Sequence, residues 1–207
     1  MTRILLAPAI LLATAAALNA QSNVRVNVFG GWTFQDKFNI SGVYNNYSYS
    51  NAGIAEAAHY GFGIEVEAQR DKCIEVFYQN QKAQAFLDYG TGRYTTDVSA
   101  NYAMIGGLGY APFSDRVAGY GGINIGAGWF DTDYGSTTKF AWGGKLGLRV
   151  NVTDIFGIKV GAQLLSPVQG VSGGLYLGTG GAGAGVSTYS TMYQFGFTGG
   201  LWLALGS

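Results

Sequence analysis

Tyr60-Gly61-Phe62-Gly63-Ile64-Glu65-Val66-Glu67-Ala68-Gln69 alternates without a break. Every even position is apolar, and every odd one is Gly, Glu or Gln. A period of two marks an amphipathic strand, because successive side chains of a strand point to opposite faces. Phe140 to Val152 repeats the pattern. Phe140, Trp142, Leu146, Leu148, Val150 and Val152 share one face with Gly144, and Lys139, Ala141, Gly143, Lys145, Gly147, Arg149 and Asn151 share the other. A slip of one residue would carry Lys145 and Arg149 to the apolar side, so the facing is strongly specified.

Working outward from these two segments, the spacing predicts eight strands, near residues 24–35, 59–69, 73–84, 99–111, 117–130, 139–151, 156–165 and 192–205. Their connections alternate in length. Arg70-Asp71-Lys72, Pro112 to Arg116 and Thr153 to Ile155 are short turns. Residues 36–58, 85–98, 131–138 and 166–191 are longer and rich in Gly, Ser, Thr, Asn and Tyr, which predicts loops. Short turns at one end, long loops at the other and an even strand count describe an all-β fold, an eight-stranded antiparallel up-and-down transmembrane β-barrel.

The facing separates a membrane barrel from a soluble one. A soluble barrel packs its large apolar side chains inward. Here the polar face carries the charges and many glycines, which suits the narrow interior of eight strands. The apolar face is therefore expected to meet lipid. On Asn101–Ala111 the expected outward set is Tyr102, Met104, Gly106, Leu108 and Tyr110. The two tyrosines stand roughly 27 Å apart along a strand. Tilt brings that span close to the ~25 Å apolar band with its aromatic girdles.

Composition excludes several function classes. The chain has 34 glycines among 207 residues, 12% charged residues and 14% aromatic ones. Twelve basic residues balance twelve acidic ones, so there is no cationic excess to neutralise nucleic-acid phosphates. A single Cys forms neither an internal disulfide nor a zinc cluster. Few charges and many aromatics argue against disorder.

Met1-Thr2-Arg3 followed by the uncharged run Ile4–Leu18 has the pattern of a signal peptide. The run is shorter than the ~20 residues of a membrane-spanning helix. Cleavage is expected after Ala20, with Ala17 as the alternative. The domains are then residues 1–20, a cleaved leader, and 21–207, one barrel in the cell outer membrane.

The leader, the eight strands, the alternating connections and the ending Phe195-Gly-Phe197-Thr-Gly-Gly-Leu201-Trp-Leu203 resemble the small bacterial outer-membrane β-barrel proteins, relatives of the OmpA transmembrane domain. The resemblance spans the whole mature chain. It implies the outer-membrane lipid bilayer and the barrel-assembly machinery as partners, and a monomer. Such barrels usually end on an aromatic residue, whereas this chain closes on Leu205-Gly206-Ser207.

No motif points to a cofactor or a catalytic centre. Gly178-Thr-Gly180-Gly-Ala-Gly183 fits the dinucleotide pattern, but no helical period follows it. Asp131-Thr-Asp133-Tyr-Gly135 begins like a calcium loop and meets Trp142 where the closing Glu belongs. His59 is the only His, and no hydroxyl nucleophile lies close behind it in sequence. Cys73 reads as a structural thiol. The segment Val43–Asn51, with Tyr44, Tyr47 and Tyr49 among Ser and Asn, has the composition of a recognition surface. By parity Arg25, Glu65, Glu67, Glu75, Lys145, Arg149 and Lys159 all point inward near the short turns, which predicts a lumen charge network. The function expected is structural or surface-interacting, with the lumen closed and no enzymatic activity. A narrow diffusion pore is the alternative, followed by a lipid-modifying enzyme.

Overall fold

The computed structural model describes residues 24–44, 47–90, 92–168 and 192–205, with side chains throughout except over 38–50. Ten strands follow in chain order: β1 (Val24–Thr33), β2 (Asp36–Tyr44), β3 (Tyr47–Ile54), β4 (Ala57–Gln69), β5 (Lys72–Tyr89), β6 (Gly92–Pro112), β7 (Val117–Thr132), β8 (Gly135–Asn151), β9 (Phe156–Pro167) and β10 (Gln194–Leu205). Eight of them run β5-β4-β1-β10-β9-β8-β7-β6, and pairing of β5 with β6 closes the ring. Every ladder is antiparallel. The first and last strands seal the wall, with Val24 opposite Leu205 and Thr33 opposite Gly196. The chain is an eight-stranded up-and-down barrel.

The short turns are where the sequence places them. At the first, Asp71 adopts a positive φ of 60°, and its carbonyl accepts the Tyr110 amide at 2.8 Å. The long connections differ from expectation. Residues 36–58 hold the hairpin β2–β3, and β3 pairs with β5 from Ile54↔Ala85 to Tyr49↔Tyr89. Residues 85–98 stay in the β5–β6 ladder until the tip at Gly90, which has φ +49°. Residues 131–138 are mostly strand as well, turning tightly before Gly135. The reason is physical: β5 and β6 run 18 and 21 residues, whereas about 9–11 suffice to cross a bilayer. Beyond the apolar belt neither face needs to be apolar, so alternation fades while the hydrogen-bond ladder continues. Of the fourth connection, β9 reaches Pro167. Residues 169–191, with the Gly178–Gly183 motif, lie outside the described residues, as do the leader and Gly206-Ser207.

On β4 and β8 the facing is as the alternation predicts: Tyr60, Phe62, Phe140, Leu146 and Leu148 are exposed, and Glu65 is buried. Strand β6 is the exception. Tyr102, Met104, Leu108 and Tyr110 are buried inside the barrel, not outside it. Glu75 is paired with Gly106, and directly paired residues share a face. The inward Glu75 therefore carries the even positions of β6 inward, leaving Ala103, Ile105, Gly107 and Gly109 outside. Between Asn101 and Ala111 neither face of β6 carries a charge, so the alternation there does not by itself say which faces the lumen. An aromatic row does exist on the exterior, but Phe62, Tyr78 and Trp129 build it, with ring centroids 5.6 and 5.9 Å apart.

The exterior belt includes Ile123, 78% exposed, and Leu146, 66% exposed, with Ile105, Ile125, Val160 and Phe197 around them. A continuous apolar surface of this kind belongs against lipid rather than water. Inside, small residues admit large ones. Gly147 lies opposite Gly161; a Cβ on Gly147 would sit 2.7 Å from Gly161 Cα and 2.7 Å from the Tyr120 hydroxyl. The glycine pair is the space that Tyr120 fills.

Candidate functional site

The inward charges collect in one layer near the short turns. Strand register alone puts Arg25 opposite Glu65, Glu65 opposite Glu75, and Arg149 opposite Lys159. Two glutamates side by side repel, and the far wall relieves them. Lys159 Nζ donates to Glu65 Oε1, and Lys145 Nζ donates to Glu75 Oε2 at 2.6 Å. Glu65 is 1% exposed and accepts three further bonds, from Tyr110 Oη at 2.6 Å, Asn27 Nδ2 at 2.9 Å and Arg25 Nε at 3.4 Å. An ionised carboxylate offers about four lone-pair sites, so this one is saturated. Glu75 is less well served, with Asn124 Nδ2 at 3.5 Å as its second donor.

Tyr110 stands at the centre of the layer. It donates to Glu65 and accepts from Lys159 Nζ at 3.1 Å. The Arg149 guanidinium lies 4.3 Å from its ring centroid and 5.5 Å from that of Trp202. Arg149 is thus held by aromatic faces rather than by a carboxylate, and its Nε has no hydrogen-bond partner. Lys145 Nζ sits 3.8 Å above the Phe77 ring. Such cation–π contacts contribute about 0.5–2 kcal/mol, more as they are desolvated. Arg25 donates from Nη2 to Cys73 Sγ at 2.9 Å and lies 3.9 Å from Glu67. The structure therefore brings all seven sequence-chosen charges to one level, with Glu67 at its edge.

Sequence reading missed Tyr110, Asn27, Tyr120 and Asn124. Alternation alone puts Tyr110 on the lipid face, the opposite of the facing the structure shows. Only its pairing with β5, which follows from the inward Glu75, would have corrected that.

Above the charges further side chains meet across the lumen. Gln163 Nε2 donates to Gln79 Oε1 at 2.7 Å, and Tyr102 Oη donates to Gln194 Oε1 at 2.7 Å. Ala100, Tyr102, Met104, Phe130, Leu165 and Met192 pack there as an apolar layer. A cavity of about 40 Å³ remains beside Asn27, Glu75, Tyr120, Lys145 and Lys159, room for a few waters.

His59 is buried in this upper layer against Gly31, where a Cβ would lie 2.7 Å from its Nε2. Its Nδ1 is 2.9 Å from Thr33 Oγ1, and its Nε2 has no partner. Ser99 and Asp97 belong to the outward face of β6 and do not meet it. Among the described residues, no group of three or more His, Cys, Asp and Glu is placed to hold a metal ion, Asp131 and Asp133 included. Tyr44, Tyr47 and Tyr49 lie on β2 and β3 by their backbone, Tyr44 opposite Tyr47 and Tyr49 opposite Tyr89. Their side chains are outside the described residues.

No protein-family model matches the chain, and no curated protein does. Solved structures do. The outer membrane protein OprG from Pseudomonas aeruginosa superposes with a TM-score of 0.62 at 10% identity, covering 90% of this chain and 97% of that one. Neisserial surface protein A gives 0.58 at 12% identity, covering 88% and 96%. The outer membrane protein AlkL, solved in lipid bilayers, gives 0.54 at 13% identity, covering 89% and 91%. At these identities the likeness is one of fold, and that fold is the small outer-membrane β-barrel.

Proposed function

We propose that the mature chain is an integral outer-membrane barrel whose lumen is closed by its charge layer and whose role is structural or lies at the cell surface. The carrying observation is Glu65, buried at 1% exposure and bonded to donors from three strands, Arg25 and Asn27 of the neighbouring β1, Tyr110 of β6 and Lys159 of β9 across the lumen. A side chain fastened to opposite walls blocks the path a solute would take. The apolar layer of Tyr102, Met104 and Leu165 blocks it a second time. The exposed apolar belt supports a lipid environment, and the likeness to barrels solved as outer-membrane proteins supports which membrane. With the short turns in the periplasm, the projecting β2–β3 and β5–β6 hairpins stand outside the cell, where a surface partner would meet them. Export through the leader, insertion by the barrel-assembly machinery and a monomeric state complete this reading.

Two measurements test it. The protein should fractionate with the outer membrane and migrate differently on gels when unheated; recovery as a soluble periplasmic protein refutes the location. In planar bilayers it should pass no sustained current. Large, stable single-channel steps would establish the pore instead and refute the closed lumen.

A further inference from the structure

The exterior of β4 to β7 carries a polar arrangement that the lumen does not use. Tyr78 and Trp129 belong to the outward aromatic row. Two residues further along β5, and at the same level on β6, Asn80 and Asn101 face the same way. Tyr78 Oη donates to Asn101 Oδ1 at 2.6 Å, and Asn80 Nδ2 donates to the same oxygen at 2.8 Å and to Ser99 Oγ at 3.0 Å. Asn101 Nδ2 in turn donates to Asp131 Oδ2 at 3.2 Å. Asn80 is 6% exposed although it lies on the outside, and its Oδ1 has no partner. Immediately beyond opens a groove of about 640 Å³ lined by Glu56, Lys82, Gln84, Asp97, Asp131 and Asp133. By strand parity Lys82 and Gln84 point outward with Tyr78, Asp97 with Asn101, and Asp131 with Trp129. The charged and amide side chains of the groove therefore stand on the outer wall of the barrel, beyond the aromatic row, with Ala83, Val98 and Thr132 between them along the strands.

We propose that this groove binds the saccharide headgroup of a glycolipid in the leaflet beside it, an inference that rests on the outer-membrane reading above. Its volume falls within the roughly 300–1,000 Å³ of small-ligand sites. Its chemistry selects among headgroups. Four carboxylates stand against one ammonium, which disfavours a phosphate, and no metal-holding cluster is present among the described residues to bridge one. Carboxylates and amides do suit sugar hydroxyls, which both donate and accept. Gln84 Nε2 already donates to Asp97 Oδ1 at 3.3 Å, leaving the second carboxylate oxygen of Asp97 to accept a hydroxyl. Position selects a lipid rather than a free sugar. Asp131 and Trp129 lie two residues apart on one face, about 7 Å. A hexose in the groove would place its acyl chains along Trp129 and Tyr78, so one ligand uses both features.

The test uses the mature chain folded in detergent, its barrel state verified by the heat-dependent gel shift. It is mixed with phosphatidylcholine vesicles carrying diglucosyl diacylglycerol, and native mass spectrometry counts the glycolipid retained. One glycolipid per chain is expected, and phosphatidylglycerol in its place should not be retained. Asp97→Asn with Asp133→Asn, both exposed and outside the buried amide network, should weaken retention by about tenfold. Trp129→Leu should weaken retention of the glycolipid as well. Equal retention of phosphatidylglycerol, or unchanged retention by the double variant, overturns the proposal. Competition by free maltose at the glycolipid's own concentration overturns the lipid source. A folded barrel that retains no glycolipid refutes the groove alone, whereas a chain without the gel shift refutes the membrane reading on which it rests.

Discussion

Lys145 and Lys159 look equivalent in sequence, yet the structure makes their removal unequal. Each side chain is 12% exposed and each meets a buried glutamate. Breaking a buried pair by removing one partner costs about 3–5 kcal/mol when the remaining charge is left bare. Lys159→Ala does not leave Glu65 bare, because Arg25, Asn27 and Tyr110 still donate to it. We expect a loss of about 1.5 kcal/mol, the low end for one hydrogen bond to a charged group. Lys145→Ala leaves Glu75 with Asn124 alone, at 3.5 Å, and removes the ammonium from the Phe77 ring. The neighbouring cavity of about 40 Å³ lets water soften the penalty, which places the expected loss at about 2–3 kcal/mol rather than the full range. Adding Glu75→Gln to Lys145→Ala removes the stranded charge and should recover at least half of it. Urea titration of the protein folded into lipid vesicles, followed by tryptophan fluorescence, measures all three. Equal losses, a larger loss for Lys159→Ala, or no recovery in the double variant would refute the assignment of donors to the two glutamates.

Three further outcomes are expected. Leu146→Arg, on the lipid face, should cost about 2–4 kcal/mol in the same titration. Parity alone would make an inward change at Gly147 mild, but a Cβ there meets Gly161 and Tyr120, so Gly147→Ala should cost about 1–3 kcal/mol; Gly107→Ala, with nothing within 4 Å, should stay within about 0.5 kcal/mol. At the projecting hairpin, the hydrogen bond from Arg93 holds the Asp88 carboxyl below its usual range. Its contribution is present above the ordinary carboxylate range and lost as pH falls through the depressed value, so amide protection factors at Tyr89 and Gly92 should drop on acidification in the wild type and lose that dependence in Asp88→Asn.

Why some of this was legible in sequence and some was not follows from particular strands. On β4 and β8 one face carries Glu65, Glu67, Lys145 and Arg149, and charge has only one tolerable side in a lipid-facing wall, so the facing could be read directly. On β6 neither face carries a charge between Asn101 and Ala111; large residues alternate with small ones, and the facing is decided by the neighbour Glu75. The upper parts of β5 and β6 look like loops in sequence because strands clear of lipid need no apolar face. The membership of the charge layer followed from parity, whereas its wiring did not. Which lysine meets which glutamate depends on strand tilt and stagger across the lumen, and the central place of Tyr110 depends on both.

The distribution of the charge layer along the chain bears on how the barrel can be built. Glu65, Glu67 and Glu75 belong to one hairpin, β4–β5, while Lys145, Arg149 and Lys159 belong to another, β8–β9. The two ion pairs that join them span 70 and 94 residues of chain. Neither hairpin can therefore enter hydrocarbon on its own without carrying uncompensated charge as well as open strand edges, both of which lipid disfavours. Arg25 of the adjacent β1 offsets part of the glutamate charge, but the lysines meet the glutamates only when the ring closes and the two walls face each other. Insertion and closure are thus coupled into one late event dominated by long-range contacts, the kind that slows folding.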